Sequence, residues 1–464
     1  MAVQTPNGLS RRETFKEIVM QGDVLAPLIS SLQVDTMGKE CLEEEKNLFY
    51  FKNIVPIPLL GLVDDVFAIS ACGYKTEKMN QYINHKTALK KLQFGTSKCV
   101  KLHVGRTCNE SQCNDLYVDG WKVEVLTDEK TGKCYQNEYF VGPEKMKVKE
   151  EQTYLGDVVS ADGSHLKNVL SRKNKGLGII NQIMQILESV LFGKYHFEVA
   201  MVLRSSLLLS SILLNSEAWV NLKEKDVRAL EQTDEILLSR ILGCDSNTSN
   251  VFKYLELGVY PLRFEIMKRT VIFLQYILQQ DEKSMMFKVF KAICENPLKN
   301  DFVKNCEKYL ERLDINVSFH EISEMSKYKF KRLVKKKTEE SAFQYLVGEK
   351  NKQSKIAHLQ YKSLNMQDYL VEGNKRTDIA KLIFRARGSN LDIKKWKYED
   401  NLCVGCSQNV ETIEEILVCP SLGDENRKIS FNCLFGDSSS DMIEVAKEIQ
   451  KRLKTRQTIL EGKG

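Results

Sequence analysis

The chain has no long apolar run. Its most apolar stretch, AMVLRSSLLLSSILL, covers about 15 residues and carries Arg204 inside it, short of the roughly 18 that cross a bilayer. No membrane partner is expected. The opening segment, MAVQTPNGLSRRETFKE, is polar and lacks the apolar core of a secretory signal. A strong charge of either sign is also absent: the net charge of +6 permits a nucleic-acid partner without demanding one. Proline is limited to 8 residues, within an otherwise ordinary globular composition. The 13 cysteines are odd in number and scattered, which argues against a disulfide framework. Reduced thiols fit a nuclear or cytoplasmic location. At 464 residues the length suggests two to four domains with sizeable cores.

The chain is organised around Pro56–Ser70, PIPLLGLVDDVFAIS. Apolar β-formers flank Asp64–Asp65, and that pattern predicts a tight hairpin with two carboxylates at its tip. Side chains alternate along a strand, so the two carboxylates point to different sides. One can bind a divalent metal while the other lies beside it. Upstream, Gln21-Gly22 sits between apolar residues ahead of a helix predicted over Leu28–Glu45. Downstream, a helix is predicted over Thr76–Leu92. Lys98 then precedes the strand-like alternation of Val100, Leu102 and Val104. Asp115–Phe140 reads as a hairpin or small sheet, and Cys108 and Cys113 before it are poorly spaced for zinc. Glu151–Gly163 reads as a strand pair turning at Asp162-Gly163.

Beyond this point helical periodicity dominates. Leu166–Leu191 carries Arg172, Lys173 and Lys175 on its early turns. Phe197–Leu214 reads as a buried helix. Lys223–Leu242 is amphipathic and is stopped by Gly243. A further helix covers Phe264–Leu278, and smaller ones follow to Leu313. Lys327–Lys337, KYKFKRLVKKK, holds seven basic residues in eleven, interleaved with Tyr328 and Phe330. Such a run, including Lys335, Lys336 and Lys337, suits phosphate contact with aromatic stacking, or simply a solvated face. Ile379–Arg387 is basic again through KLIFRAR. In the tail, Cys403-Val-Gly-Cys406 is followed by Cys419, with Glu415 about one helical turn before it. Three cysteines in this spacing suit Zn²⁺, although structural zinc sites prefer Cys or His to a carboxylate.

Taken in order, these pieces resemble the reverse transcriptase of non-LTR (LINE-type) retrotransposons. MQGDVLAPL resembles the family's Gln-Gly-x-x-x-Ser-Pro motif, with Ala26 in place of Ser. GLVDDVFAIS resembles the catalytic aromatic-x-Asp-Asp box, with Leu62 in the aromatic position. LQFGTSKC resembles the lysine-bearing motif, and TYLGDVVSADG the primer-grip strand pair. The following helices resemble the thumb and the segment beyond it. Ile383–Arg387, IFRAR, and Cys403–Cys419 resemble the family's LFRAR-like segment and the Cys-Cys-His-Cys knuckle that follows it, with Glu415 in place of His.

The resemblance implies an α+β chain. Residues 1–165 would form a partial palm, 166–300 a helical thumb-like region, 301–390 a basic helical region and 391–464 a knuckle-like tail. It implies RNA-directed DNA polymerase chemistry on an RNA template and DNA primer, with Mg²⁺ or Mn²⁺ held by Asp64 and supported by Asp65. Gln21 and Gly22 would position nucleotide and template, and Lys98 would lie near the pyrophosphate. In the family, the fingers and the strand with the first catalytic aspartate precede the Gln-Gly motif. This sequence is therefore expected to be inactive alone, and to expose an apolar palm edge through which it self-associates. A non-catalytic RNA- or DNA-binding remnant, or a degenerate reading frame, are the alternatives.

Overall fold

The computed structural model describes residues 4–5, 8–9, 26–43, 49–52, 54–57, 59–62, 65–70, 73–89, 99–102, 117–118, 121–122, 125–128, 133–136 and 139–141. From there it describes 144–189, 196–298, 301–372, 376–393, 401–423, 430–436 and 438–462. The chain is mostly helical, with several small sheets, as an α+β class requires. It divides into two compact units. The first holds residues 1–152, 159–164 and 281–297; the second holds 153–158, 165–280 and 298–464.

In the first unit, helix α1 (Ala26–Glu43) and helix α2 (Gly73–Leu89) flank the central hairpin in sequence. Leu60–Leu62 pairs antiparallel with Asp65–Phe67, and Leu62 stands opposite Asp65. The hairpin expected there is present. Among the described residues no third strand joins it. Met37 and Cys41 of α1, Leu59, and Met79 and Ile83 of α2 form a small buried cluster, with Val66 packed against it. Val125–Asp128 pairs antiparallel with Lys133–Gln136, within the segment read as a hairpin or small sheet. Val100–Leu102 pairs parallel with Lys147–Lys149, the one parallel ladder among the described strands.

The strand pair Glu151–Tyr154 and Asp157–Ser160 corrects one expectation. Its turn is Leu155-Gly156, where both residues have positive φ, +47° and +86°. Two successive positive φ values match the right-handed twist of a tight hairpin. Asp162-Gly163 instead leads into the next helix: Asp162 Oδ1 accepts from the Ser164 N–H at 2.9 Å.

The second unit is helical. Its elements begin with α3 (Leu166–Ser189), α4 (His196–Leu203), a π-helical turn over Arg204–Leu209 and α5 (Ser210–Ile212). They continue with α6 (Glu224–Leu242), α7 (Asn250–Leu257) and α8 (Leu262–Leu278). Helix α9 (Met285–Glu295) belongs to the first unit. Then come α10 (Phe302–Arg312), α11 (Phe319–Glu324), α12 (Lys327–Asn351), α13 (Asp368–Glu372), α14 (Thr377–Arg387), α15 (Ile413–Val418) and α16 (Ser439–Gly462). On α3 the buried residues Val169, Gly176, Ile180, Ile183 and Leu187 recur at helical spacing. Helix α6 ends at Gly243, whose φ of +62° suits a residue without Cβ. The Cys244 N–H reaches back to the Ser239 carbonyl at 3.0 Å, completing that cap. The Phe197–Leu214 stretch is helical as expected, with the π turn inside it and Arg204 buried in an ion pair to Asp234 at 2.7 Å.

One core runs from Val169 to Ile449, so the segments expected as thumb, basic region and tail share a common interior in this unit. Among the described residues no helix is long and apolar enough to cross a membrane.

Candidate metal centre and basic surfaces

The tail builds a four-donor cluster from two local structures. The first is a loop that closes on itself. Leu402 bridges Val410, the Cys403 N–H donates to the Asn409 carbonyl at 2.7 Å, and the Ser407 N–H donates to the Cys403 carbonyl at 2.8 Å. This brings Cys403 and Cys406 to one side. The second is the short helix α15. Thr412 caps it by accepting from the Glu415 N–H at 3.0 Å, and the Cys419 N–H donates to the Glu415 carbonyl at 2.8 Å. Glu415 and Cys419 are therefore one turn apart on a shared face.

The donor atoms of Cys403, Cys406, Glu415 and Cys419 all lie within 4.8 Å of one another. The Cys403 and Cys419 sulfurs are 3.7 Å apart, and the Cys406 sulfur is 3.4 Å from Glu415 Oε1. A tetrahedral ion with metal–sulfur bonds of about 2.3 Å needs a sulfur–sulfur edge of about 3.8 Å. The Cys403–Cys419 edge matches that length, and the four donors lie close enough together to converge on one ion.

Further residues shape the cluster. Asn409 Nδ2 donates to Glu415 Oε2 at 3.1 Å, leaving Oε1 toward the thiols. A Cβ on Gly405 would meet the Leu422 side chain at 2.9 Å and the Cys419 sulfur at 3.1 Å, so the loop closes because that position is glycine. Burial pushes the Cys403 thiol up to about 11. The backbone N–H groups of Asn409 and Gln408 hold the Cys406 thiol below its ordinary value.

Helix α16 fastens the cluster from outside, through residues that the sequence did not mark. Arg452, only 1% exposed, donates Nη1 to the carbonyls of Cys419 at 2.9 Å and Ile416 at 3.3 Å, and Nε to Glu448 at 2.8 Å. Arg456 grips Glu411 through two bonds of 2.9 Å, and Glu411 accepts from the Val404 N–H at 3.2 Å. The one available signal was arginine repeated at i,i+4 on an amphipathic helix, a pattern shared by many solvated helices.

The basic residues fall into two groups. Arg172 is buried, bonded to Asp157 at 2.8 Å and to the Ser211 carbonyl at 3.1 Å. It is not available to a phosphate, whereas Lys175 is exposed and Lys173 is half-buried, 3.5 Å from Gln232. Arg387 is likewise interior. Its guanidinium bonds Glu256 at 3.2 and 3.3 Å and the Leu434 carbonyl, so the IFRAR segment is core rather than basic surface. Glu256 also accepts from the hydroxyls of Tyr361 and Tyr369, each at 2.6 Å.

Lys327–Lys337 opens α12. Phe330 is fully buried and cannot stack on a base, whereas Tyr328 is 77% exposed. Lys337 pairs with Asp314 at 2.6 Å, and Lys335 and Lys336 lie 3.9 and 3.7 Å from Glu339 and Glu340. Exposed pairs of this kind contribute at most about 1 kcal/mol.

Of the polymerase-like residues, Asp65 is exposed at the start of its strand. Asp64, Gln21, Gly22 and Lys98, like Cys108 and Cys113, lie outside the described residues. No protein-family model matches the chain, and no curated protein is significantly similar to it.

Proposed function

We propose that this chain is reverse transcriptase-like, of the non-LTR retrotransposon type, and holds an RNA template and DNA primer. The carrying observation is the convergence of Cys403, Cys406, Glu415 and Cys419 into one tetrahedron-sized cluster, beyond a helix with the IFRAR sequence and in the motif order of that family. In this reading the cluster holds Zn²⁺, which fixes the tail loop against α15. In this reading Asp64 and Asp65 would hold Mg²⁺ or Mn²⁺. A bound divalent pair supplies activation of the primer 3′-hydroxyl and neutralisation of the leaving pyrophosphate. The second reading, a non-catalytic binding remnant, is favoured by the exposed cations at the start of α12.

Fluorescence anisotropy with an RNA–DNA hybrid tests the holding function. Affinity is expected to fall steeply as salt rises from about 50 to about 200 mM. No binding at the low-salt end would overturn the proposal. Primer extension with Mg²⁺ or Mn²⁺ tests the roles of Asp64 and Asp65: incorporation that Asp64→Ala abolishes supports them, and incorporation that Asp64→Ala leaves unchanged overturns them.

A further inference from the structure

Helices α8 and α12 of the second unit border a groove of about 400 Å³, within the roughly 300–1,000 Å³ range of ligand pockets. Its apolar floor comes from α8. Phe273 and Tyr276 are one turn apart, with their rings nearly parallel at 16° and 6.0 Å between centroids. Phe302 packs edge-on against Phe273 at 5.9 Å. Tyr276 remains 45% exposed.

The groove wall is fixed by two amides. Gln275 Nε2 donates to the carbonyls of Ile322 and Met325 at 3.2 and 3.0 Å. Gln279 Nε2 donates to those of Ser323 and Met325 at 3.1 and 2.9 Å. These bonds fasten the connection between α11 and α12 to α8, so the start of α12 is held beside the aromatic floor.

That start is unusually cationic. Lys327 and Lys331 line the groove one turn apart. Lys329 and Arg332 flank them, and all four are exposed. Among the described residues none of the four has an ion-pair partner, in contrast to Lys335, Lys336 and Lys337. The positive end of the helix dipole adds to the same field. The third cation of the lining, Arg269, is already bonded to Glu265 and to the Leu213 carbonyl. Among the described lining residues Glu217 is the one carboxylate, able to accept from a base N–H.

We propose that this groove seats one unstacked nucleotide of a single-stranded nucleic acid, its base against Tyr276 and its flanking phosphates on Lys327 and Lys331. An exposed aromatic beside unpaired cations is the chemistry of single-strand binding. An apolar peptide would leave the four cations uncompensated, and a free nucleotide would engage at most two of them. The inference rests on the nucleic-acid-holding part of the proposed function and gives it a location.

The test uses the full chain and a fluorescent eight-nucleotide oligouridylate. Tyr276→Ala is expected to weaken binding about tenfold, and Tyr276→Phe to retain it. Lys327→Glu with Lys331→Glu is expected to flatten the salt dependence by between one and two counterions. Lys335→Glu with Lys336→Glu is the control, with an expected change under about twofold. If the oligouridylate and the hybrid both bind but the Tyr276 and Lys327/Lys331 variants match wild type, the groove assignment falls and the holding function stands. If neither ligand binds, both fall. Uridine monophosphate competing as well as the oligonucleotide would overturn the assignment to a strand.

Discussion

Arg452 joins the last helix to the candidate metal centre by donating Nη1 to the backbone carbonyl of Cys419 at 2.9 Å. A Cβ on Gly423 would meet the Arg452 guanidinium carbon at 2.8 Å, so the chain after Cys419 is shaped around that side chain. Arg452 and Glu448 are both almost fully buried. Removing one partner of a buried pair leaves an uncompensated charge at a cost of about 3–5 kcal/mol. Arg452→Met, which removes the charge beside Glu448 and the donor to the Cys419 and Ile416 carbonyls, is expected to lower the stability of the second unit by about 3–5 kcal/mol in urea melts.

The Cys403, Cys406, Glu415 and Cys419 cluster predicts stoichiometric binding of one tetrahedral divalent ion. Titration with Co²⁺ is expected to give the intense visible bands of a tetrahedral thiolate site and a thiolate charge-transfer band, both abolished by Cys403→Ser. Asn409→Ala removes the bond that orients Glu415 and is expected to weaken the ion about 10- to 100-fold. Glu415→His, with a preferred ligand type, is expected to tighten it. At a free ion concentration of about 100 times Kd, the ion adds about 2.7 kcal/mol of stability, which chelator is expected to remove.

Gly258 ends α7 at φ +65°. A Cβ there would fall 2.2 Å from the Met366 nitrogen and 2.3 Å from the Asn365 carbonyl carbon, both backbone atoms. Left-handed backbone and steric exclusion act together, so Gly258→Ala is expected to cost at least about 3 kcal/mol in denaturant melts. A cost below about 1 kcal/mol would contradict this packing.

Glu265 supplies an acid-sensitive contact. Burial pushes its carboxyl up, but Lys268 and then Arg269 outweigh that and hold it below the ordinary 4.5. A depressed folded value means the contribution is complete above about 4.5 and is lost as pH falls through the lower folded value. Glu265→Gln is therefore expected to lower Tm at about pH 7, with the gap to wild type closing toward about pH 3. A constant gap would show that the loss is packing alone.

Legibility followed the range of the interactions. Helix α6 could be read to its last residue because its apolar stripe and Gly243 are local signals. The Cys403–Cys419 spacing even placed Glu415 one turn before Cys419, where α15 puts it. The hairpin turn at Leu155-Gly156 was misplaced because Leu155 carries no turn signal, while Asp162-Gly163 does. Buried cations were the least legible. Arg172 finds Asp157 15 residues away and Arg387 finds Glu256 131 away, and no periodicity records such partners. The groove over Tyr276 needs α12 beside α8, which side-chain amides to backbone carbonyls decide.

Glu256 has a consequence for how the polypeptide is made. Its carboxylate is fully buried, and its partners are Tyr361, Tyr369 and Arg387, which lie 105, 113 and 131 residues downstream. A nascent chain emerging from the ribosome reaches α7 long before it contains any of these groups. Until Arg387 has been synthesised, closing the interior around α7 would bury a carboxylate without its cation. The polar interior around Glu256 is therefore complete only once Arg387 has been made.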